Sequence, residues 1–260
     1  MKYVIKIPRI IKNHEKAILG VSGIGVVLIA WQLIGERTNK IILPPLSSVL
    51  KADYTLFASG MIWPHLEITT IEFLIGLAIA IAIGIPVGLL MGWTRKVNFA
   101  LDPLLSMTYS IPFIAVIPLI ILWFGIGITS KIVTVVFIAI FPIILNTMTG
   151  VKRADESLLK VGKSFGASKW NLFSTVVVPG AFPYILSGLR LALGRALVGA
   201  IAAELVASTA GLGWLIARYG GTFQTDKMLA VILVVALIGV VSTEVLKKAE
   251  SHFDAWRTQR

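Results

Sequence analysis

Three charged residues fall inside an otherwise apolar stretch, and their chemistry sets the first question. Arg190, Arg195 and Glu204 interrupt the run from about 181 to 207. A charge near the centre of a lipid bilayer costs at least about 2.5 kcal/mol unless it is paired or hydrated. Arg190 and Glu204 stand 14 residues apart, about 21 Å along one helix, so they cannot satisfy each other. Each of the three needs a partner on another helix or water, and each is a candidate for lining a solute path. Glu67 and Glu72, near the outer end of another apolar run, read as side chains reaching the membrane interface.

Bond-making chemistry has little to work with. The chain has no cysteine, which excludes disulfides, thiolate metal sites and cysteine nucleophiles. His14, His65 and His252 are far apart and stand in no metal-ligand spacing, so no metal site is expected. The apolar runs offer no histidine, cysteine or paired-carboxylate constellation for an intramembrane enzyme. Gly162-Lys163-Ser164 resembles the end of a phosphate-binding loop, but Ser157 stands where that pattern needs a glycine and no strand precedes it. The reading is a non-catalytic chain with no cofactor of its own.

The elements that would position these residues follow from composition. Of 260 residues, 57% are hydrophobic and 14% charged, against roughly 25% charged in a soluble domain. The mean hydropathy is +0.88. A formal charge of +11 would ordinarily raise nucleic acid as a partner. Here the basic residues must instead sit at the water-facing edges of an apolar body, against lipid headgroups or a partner protein.

A span needs roughly 20 mostly apolar residues, and six runs qualify: 17–35, 73–94, one within 111–128, 132–151, 181–207 and 228–243. The first run is too long for a signal peptide and has no small-residue cleavage site after it. The fold class expected is therefore all-α, a polytopic membrane protein of six spans. An N-terminal arm covers 1–16, the membrane domain 17–246 with a loop at about 152–178, and a tail 247–260. With the N-terminus inside, sixteen Lys+Arg lie on the inner side and six on the outer, which places both termini in the cytoplasm. Leu43-Pro44-Pro45 introduces a short external helix over Leu46 to Ser59, with Ser47 or Ser48 as its cap. No fixed-period or inverted repeat is visible.

Two stripes of small residues run along these spans. Gly76, Ala80, Gly84, Gly88 and Gly92 recur every fourth residue, as do Gly188, Ala192, Ala196 and Ala200, whose stripe continues to Glu204. Such stripes let neighbouring backbones approach closely. Pro86, Pro112, Pro118 and Pro142 interrupt spans two to four, either as simple bends or as the shaping of a solute path.

The loop between spans four and five opens with acids and continues with bases, as a helix dipole favours. Gly166 should stop that helix and Ser168 cap the next. The resulting helix-turn-helix exposes Leu158, Leu159, Phe165, Trp170 and Phe173, an apolar surface suited to docking on a partner or against the inner ends of the chain's own helices.

At this loop the sequence resembles the permease subunits of binding-protein-dependent ABC importers, whose hallmark is E-A-A, three residues, G, nine residues and I-x-L-P. Gly166 is followed by nine residues and then Val176-Val177-Val178-Pro179. Lys160-Val161-Gly162 stand where the E-A-A would be. Leu43-Pro44-Pro45, Ile111-Pro112, Ile117-Pro118, Leu122-Trp123-Phe124-Gly125-Ile126-Gly127, Gly166-Ala167-Ser168-Lys169-Trp170, Pro183-Tyr184-Ile185, Gly188-Leu189-Arg190, Ala203-Glu204 and Gly211-Leu212-Gly213 look like the nitrate/sulfonate/taurine/bicarbonate branch. Glu72 stands where that branch often has arginine.

The resemblance implies a type I importer permease in the cell (inner) membrane, commonly a homodimer. It would work with two cytoplasmic ABC ATPase subunits carrying ATP and Mg, and with an extracytoplasmic solute-binding protein. The ATPase-coupling residues would be Leu158, Leu159, Lys163, Phe165, Gly166, Ala167, Ser168 and Trp170. The solute would be a small anion such as nitrate, a sulfonate, taurine or bicarbonate. A self-contained secondary transporter, with Arg195, Glu204 and Glu72 as ion sites, is the competing expectation, and the missing inverted repeat counts against it.

Overall fold

The computed structural model describes residues 9–254, with side chains described over 19–248. Lys2 and Lys6 of the N-terminal arm lie outside the described residues, as do the side chains of Arg9, Lys12, Lys16, His14 and His252. The described residues are almost wholly helical and contain no strand. In chain order the helices are α1 (Arg9–Arg37), α2 (Leu46–Ala58), α3 (Trp63–Trp93), α4 (Arg95–Ser110), α5 (Ile117–Phe124), α6 (Ile128–Lys152), α7 (Glu156–Ser164), α8 (Lys169–Leu172), α9 (Val178–Val206), α10 (Leu212–Gly221) and α11 (Thr225–Asp254).

Five stretches are long and apolar enough to cross a bilayer: Leu19–Arg37, Trp63–Trp93, Ile128–Lys152, Lys169–Val206 and Thr225–Lys248. The sixth, expected within 111–128 with Pro112 and Pro118 interrupting it, takes in more of the chain. It is a broken pair, Arg95–Ser110 with Phe113–Phe124, bent by 93°. The cause is local. Pro112 lies in the extended break, a single 3₁₀ turn covers Phe113–Val116, and Pro118 starts α5, where its missing N–H is harmless. Pro86 and Pro142, by contrast, lie inside helices that continue through them, compatible with the simple bend of the two expectations and not with a break.

The core is α6, packed between α3 and α9. A Cβ built on Gly76 would lie 2.5 Å from Val135 Cγ1, on Gly84 2.9 Å from Ile143, on Gly88 2.6 Å from Thr147 and on Gly92 2.4 Å from Val151. Each partner lies the same 59 positions further along the chain, the separation of Glu72 and Lys131. A constant offset means that α3 and α6 run parallel, rung against rung. Gly188 meets Asn146 and the Pro142 carbonyl at 3.0 Å, and Ala192, Ala196 and Ala200 continue that contact in the same core. Without a hydrophobic driving force between helices in lipid, this close backbone approach is the main source of adhesion.

At one end of the bundle α2, α10 and α11 share a second apolar cluster of Val49, Leu56, Leu215, Tyr219 and Val231. The helix expected over Leu46 to Ser59 is present, but its first-turn cap is Pro45 with no side-chain hydrogen bond, not Ser47 or Ser48. Ser47 is occupied otherwise: its backbone N–H donates to Gln32 Oε1 at 2.9 Å and its hydroxyl accepts from Gln32 Nε2 at 3.1 Å. Pro44 and Pro45 are buried against α1, where a Cβ on Gly35 would overlap Pro45 and the Trp31 indole N–H donates to the Pro44 carbonyl.

Candidate functional site

Three places gather the residues singled out above. The first is a buried polar cluster at the α2/α10 end. Glu72 is completely buried, and its Oε1 accepts from Lys131 Nζ at 2.8 Å. It does not reach the interface as expected; Glu67, on the far side of α3, is the exposed one. Lys131 lies within α6 and is 6% exposed. Both belong to the glycine ladder: Glu72 precedes Gly76 by one turn of the stripe, and Lys131 precedes Val135 in the same way.

Glu204, which ends the other stripe, lies beside Glu72. Its Oε1 accepts from the Thr69 hydroxyl at 2.6 Å, and its Oε2 from the Gly213 backbone N–H at 2.6 Å. Leu212 N–H donates to Thr69 Oγ1 at 2.8 Å, and Gly211 N–H to His65 Nδ1 at 3.0 Å. His65 stacks on Trp214, whose other neighbour is the Arg218 guanidinium. The sequence reading finds no paired carboxylates in the spans; the fold supplies a pair, with Lys131 as their shared cation. Glu72 Oε2 is buried and has no hydrogen-bond partner among the described residues. Gly211 has φ +111°, and a Cβ there would fall 2.0 Å from Glu204 Oε1, so Gly211-Leu212-Gly213 is the turn that lets the first N–H groups of α10 reach a carboxylate. His65, Thr69, Glu72 and Lys131 are the members that sequence reasoning missed as a set. The signal was available in Glu72, which continues the spacing of the glycine stripe.

The second place is a cavity of about 160 Å³ where the chain breaks after α4. Thr108, Tyr109 and Phe113 form one wall, Phe137 and Phe141 of α6 another, and Arg195 of α9 reaches in. The rings brace each other edge to face, Tyr109–Phe141 at 6.1 Å and Phe137–Phe141 at 5.5 Å between centroids. Arg190 and Arg195 are both exposed on the single chain, but Arg190, nearer the other end of α9, does not line this cavity.

The third place is the helix-turn-helix. Asp155 caps α7, accepting from Ser157 N–H at 2.8 Å and from the Ser157 hydroxyl at 2.6 Å. These donors hold its carboxyl below the ordinary value of 3.8. Gly166, at φ +77°, ends the helix: Ala167 N–H donates to the Gly162 carbonyl and Gly166 N–H to the Lys163 carbonyl, the paired closure that a left-handed residue permits. Ser168 Oγ accepts from Asn171 N–H at 3.1 Å.

The second helix is no separate piece. α8, a wide π turn over Phe173–Val177 and α9 form one rod, with Pro179, which has no N–H to return to position 175, just beyond the wide turn. Of the apolar residues expected at the surface, Leu158, Phe165 and Trp170 are exposed, Phe165 by 88%, together with Val161. Leu159 and Phe173 turn inward against Val151, Val177, Ala181 and Ile185, because they lie on the side of their helices that meets the bundle. Lys163 and Ser168 are exposed and Ala167 partly buried.

A bundle of helices long and apolar enough to cross a membrane, with a short exposed helix pair joining two of them, fits a membrane permease. Residues 84–248 match the model of the binding-protein-dependent transport system inner membrane component, and the chain belongs to that family. It is a multi-pass membrane protein and an ABC importer permease subunit. It is 34% identical to the taurine transport system permease protein TauC of Escherichia coli K12, over 92% of this chain and 89% of that one. It is 37% identical to the putative aliphatic sulfonates transport permease protein SsuC of the same organism, over 86% and 87%.

Among solved structures, an amino acid ABC transporter with histidines superposes with a TM-score of 0.60 at 16% identity, over 78% of this chain and 96% of that one. The inward-facing MetNI methionine ABC transporter gives 0.55 at 21%, over 72% and 93%. These show the fold, that of a type I importer permease. Nothing in the comparisons supports a self-contained secondary transporter.

Proposed function

We propose that this permease carries a small organic anion of the taurine and alkanesulfonate kind and is driven by separate ATPase subunits that grip the α7 corner. Two copies of the chain form the pathway, an external binding protein delivers the solute, and both termini face the cytoplasm. ATP and Mg are held by the ATPases alone. The observation that carries this reading is the exposed set Leu158, Val161, Phe165 and Trp170 on a turn fixed by Gly166. Large apolar side chains presented to water by a rigid, capped turn are suited to insertion into a partner's groove. The substrate class is supported by the names of the relatives at 34% and 37% identity.

The coupling step then follows mechanically. α8 and α9 are one rod, so a push on the turn at Gly166 is delivered along α9 to Arg195 and Glu204 without a flexible joint between them. The test is reconstitution in liposomes with the ATPases and the binding protein. ATP-dependent uptake of taurine is expected, with at least tenfold loss of solute-stimulated ATP hydrolysis in Phe165→Asp. Transport by the purified chain alone without ATP, or full coupling in Phe165→Asp, overturns the reading.

A further inference from the structure

The intramembrane charges differ in one respect. Glu72 is paired with Lys131, and both oxygens of Glu204 accept hydrogen bonds. Among the described residues, Arg195 has no carboxylate partner and no hydrogen bond. It lies beyond the middle of α9, nine residues or about 13 Å from Glu204, between the buried stripe of Ala192 and Ala196 and the exposed Leu191 and Val198. A guanidinium at membrane depth with no protein partner is held for water or for an anion that comes and goes.

The space it faces is suited to the second. The cavity of about 160 Å³ is smaller than the roughly 300–1,000 Å³ of drug-sized ligand sites, so it takes a solute of a few heavy atoms. Its walls divide by chemistry. Arg195 and the Tyr109 hydroxyl supply donors, while Phe113, Phe137 and Phe141 supply an apolar side; Thr108 lines the wall, but its hydroxyl donates to the Leu104 carbonyl at 2.7 Å. A planar guanidinium offers paired donors to an oxyanion, and the rings accept a short alkyl chain. The 93° break makes this possible, because it sets Thr108, Tyr109 and Phe113 across from α9 instead of along a straight helix.

Resting on the permease reading, we propose that Arg195, with Tyr109, forms a transient site for the sulfonate or carboxylate head of a small organic anion, whose chain lies against Phe137 and Phe141. Arg195 thereby sets the sign of charge that the pathway accepts.

The absence of native cysteine allows a direct test in the assembled transporter in nanodiscs. Thr108→Cys is treated with 2-sulfonatoethyl or 2-(trimethylammonio)ethyl methanethiosulfonate, each rate being normalised to that with free cysteine. The sulfonate reagent, itself an ethanesulfonate, is expected to be favoured at least tenfold. Arg195→Gln should abolish that preference and Arg195→Lys retain part of it. Leu122→Cys, exposed on α5, should show no dependence on residue 195. Ile111→Cys serves if Thr108→Cys fails to assemble.

Equal normalised rates with Arg195 and with Gln overturn the proposal, as does failure of both reagents to reach either cysteine in every nucleotide state. ATP-driven taurine uptake by the unaltered complex separates the two ideas. Charge preference without taurine import sinks the solute class and leaves the anion site. Import without charge preference does the reverse.

Discussion

The two ends of the bundle treat their chemistry in opposite ways. At the α2/α10 end, charged groups are hidden: Glu72, Lys131 and Glu204 are buried, Lys131 is paired with Glu72 Oε1, and both Glu204 oxygens meet donors, which leaves Glu72 Oε2 as the unmatched atom of the three. At the α7 end, apolar groups are shown: Phe165 and Trp170 stand 88% and 71% exposed on a turn whose backbone is fully capped. Each arrangement is locally unfavourable, a charge out of water in one case and an aromatic ring in it in the other. The difference teaches where each debt is settled, mostly within the chain at one end and, on the proposed reading, by a partner at the other. Substitutions at the first should act on stability, and substitutions at the second on coupling.

The largest effect is expected where a buried charge loses its mate. Lys131→Met leaves Glu72 without a cation, and breaking a buried pair in this way costs about 3–5 kcal/mol. Glu72→Leu combined with Lys131→Met should recover most of that loss, since the pair is removed whole. Thermal unfolding of the permease in nanodiscs reads both. A single variant as stable as the unaltered protein would show that the cluster is not the anchor of its end.

Next comes the ladder below it. Gly88→Val must displace Thr147 and the Ile144 carbonyl, which a Cβ meets at 2.6 and 2.8 Å; overpacking of this kind costs about 1–3 kcal/mol. Gly180→Ala, where a Cβ meets nothing within 4 Å, is the control and should gain about 0.5–1 kcal/mol from helix propensity. Equal responses at the two positions would remove the distinction between a packed and an unpacked glycine.

These same residues mark what can be read without coordinates. Runs of apolar residues gave five spans, the fourfold recurrence of Gly76 to Gly92 gave the packing face, and Gly166 with Ser168 gave the turn, because each is a local rule of one helix. The broken third span escaped, since a charge-free run does not reveal whether Pro112 bends a helix or ends it. Glu72 escaped for a different reason. Its partner is 59 residues away, and nothing in its own neighbourhood distinguishes a side chain that reaches the interface from one that meets Lys131. Leu159 and Phe173 read as surface residues in the sequence because apolarity alone does not tell which side of a short helix faces the bundle.

At the α7 end the stability effects should be smaller and the functional ones separable. Gly166→Ala meets no atom within 4 Å, so only the left-handed backbone opposes it, by about 1–2 kcal/mol. Phe165→Ala should leave unfolding within about 0.5 kcal/mol, as for most surface substitutions, while lowering solute-stimulated ATP hydrolysis at least tenfold. If Phe165→Ala destabilises the isolated permease, the ring is packing within the chain and the contrast between the two ends fails.

The smallest effect concerns the cap of α7. Asp155 is held below its ordinary 3.8 by donors from Ser157 and Leu158. A depressed folded value means that the cap contributes fully above the ordinary value and is lost as pH falls through the depressed one. Amide exchange at Ser157 and Leu158 should therefore be protected from neutral pH down to about 4 and lose protection below that, after allowance for the intrinsic pH dependence of exchange. Asp155→Asn keeps an acceptor of similar capping strength without the titration, so its protection should stay level over the same range. Parallel loss in both proteins would place the acid sensitivity elsewhere in the loop. Loss in the aspartate protein alone would identify one carboxylate as the group that holds the start of α7 in shape.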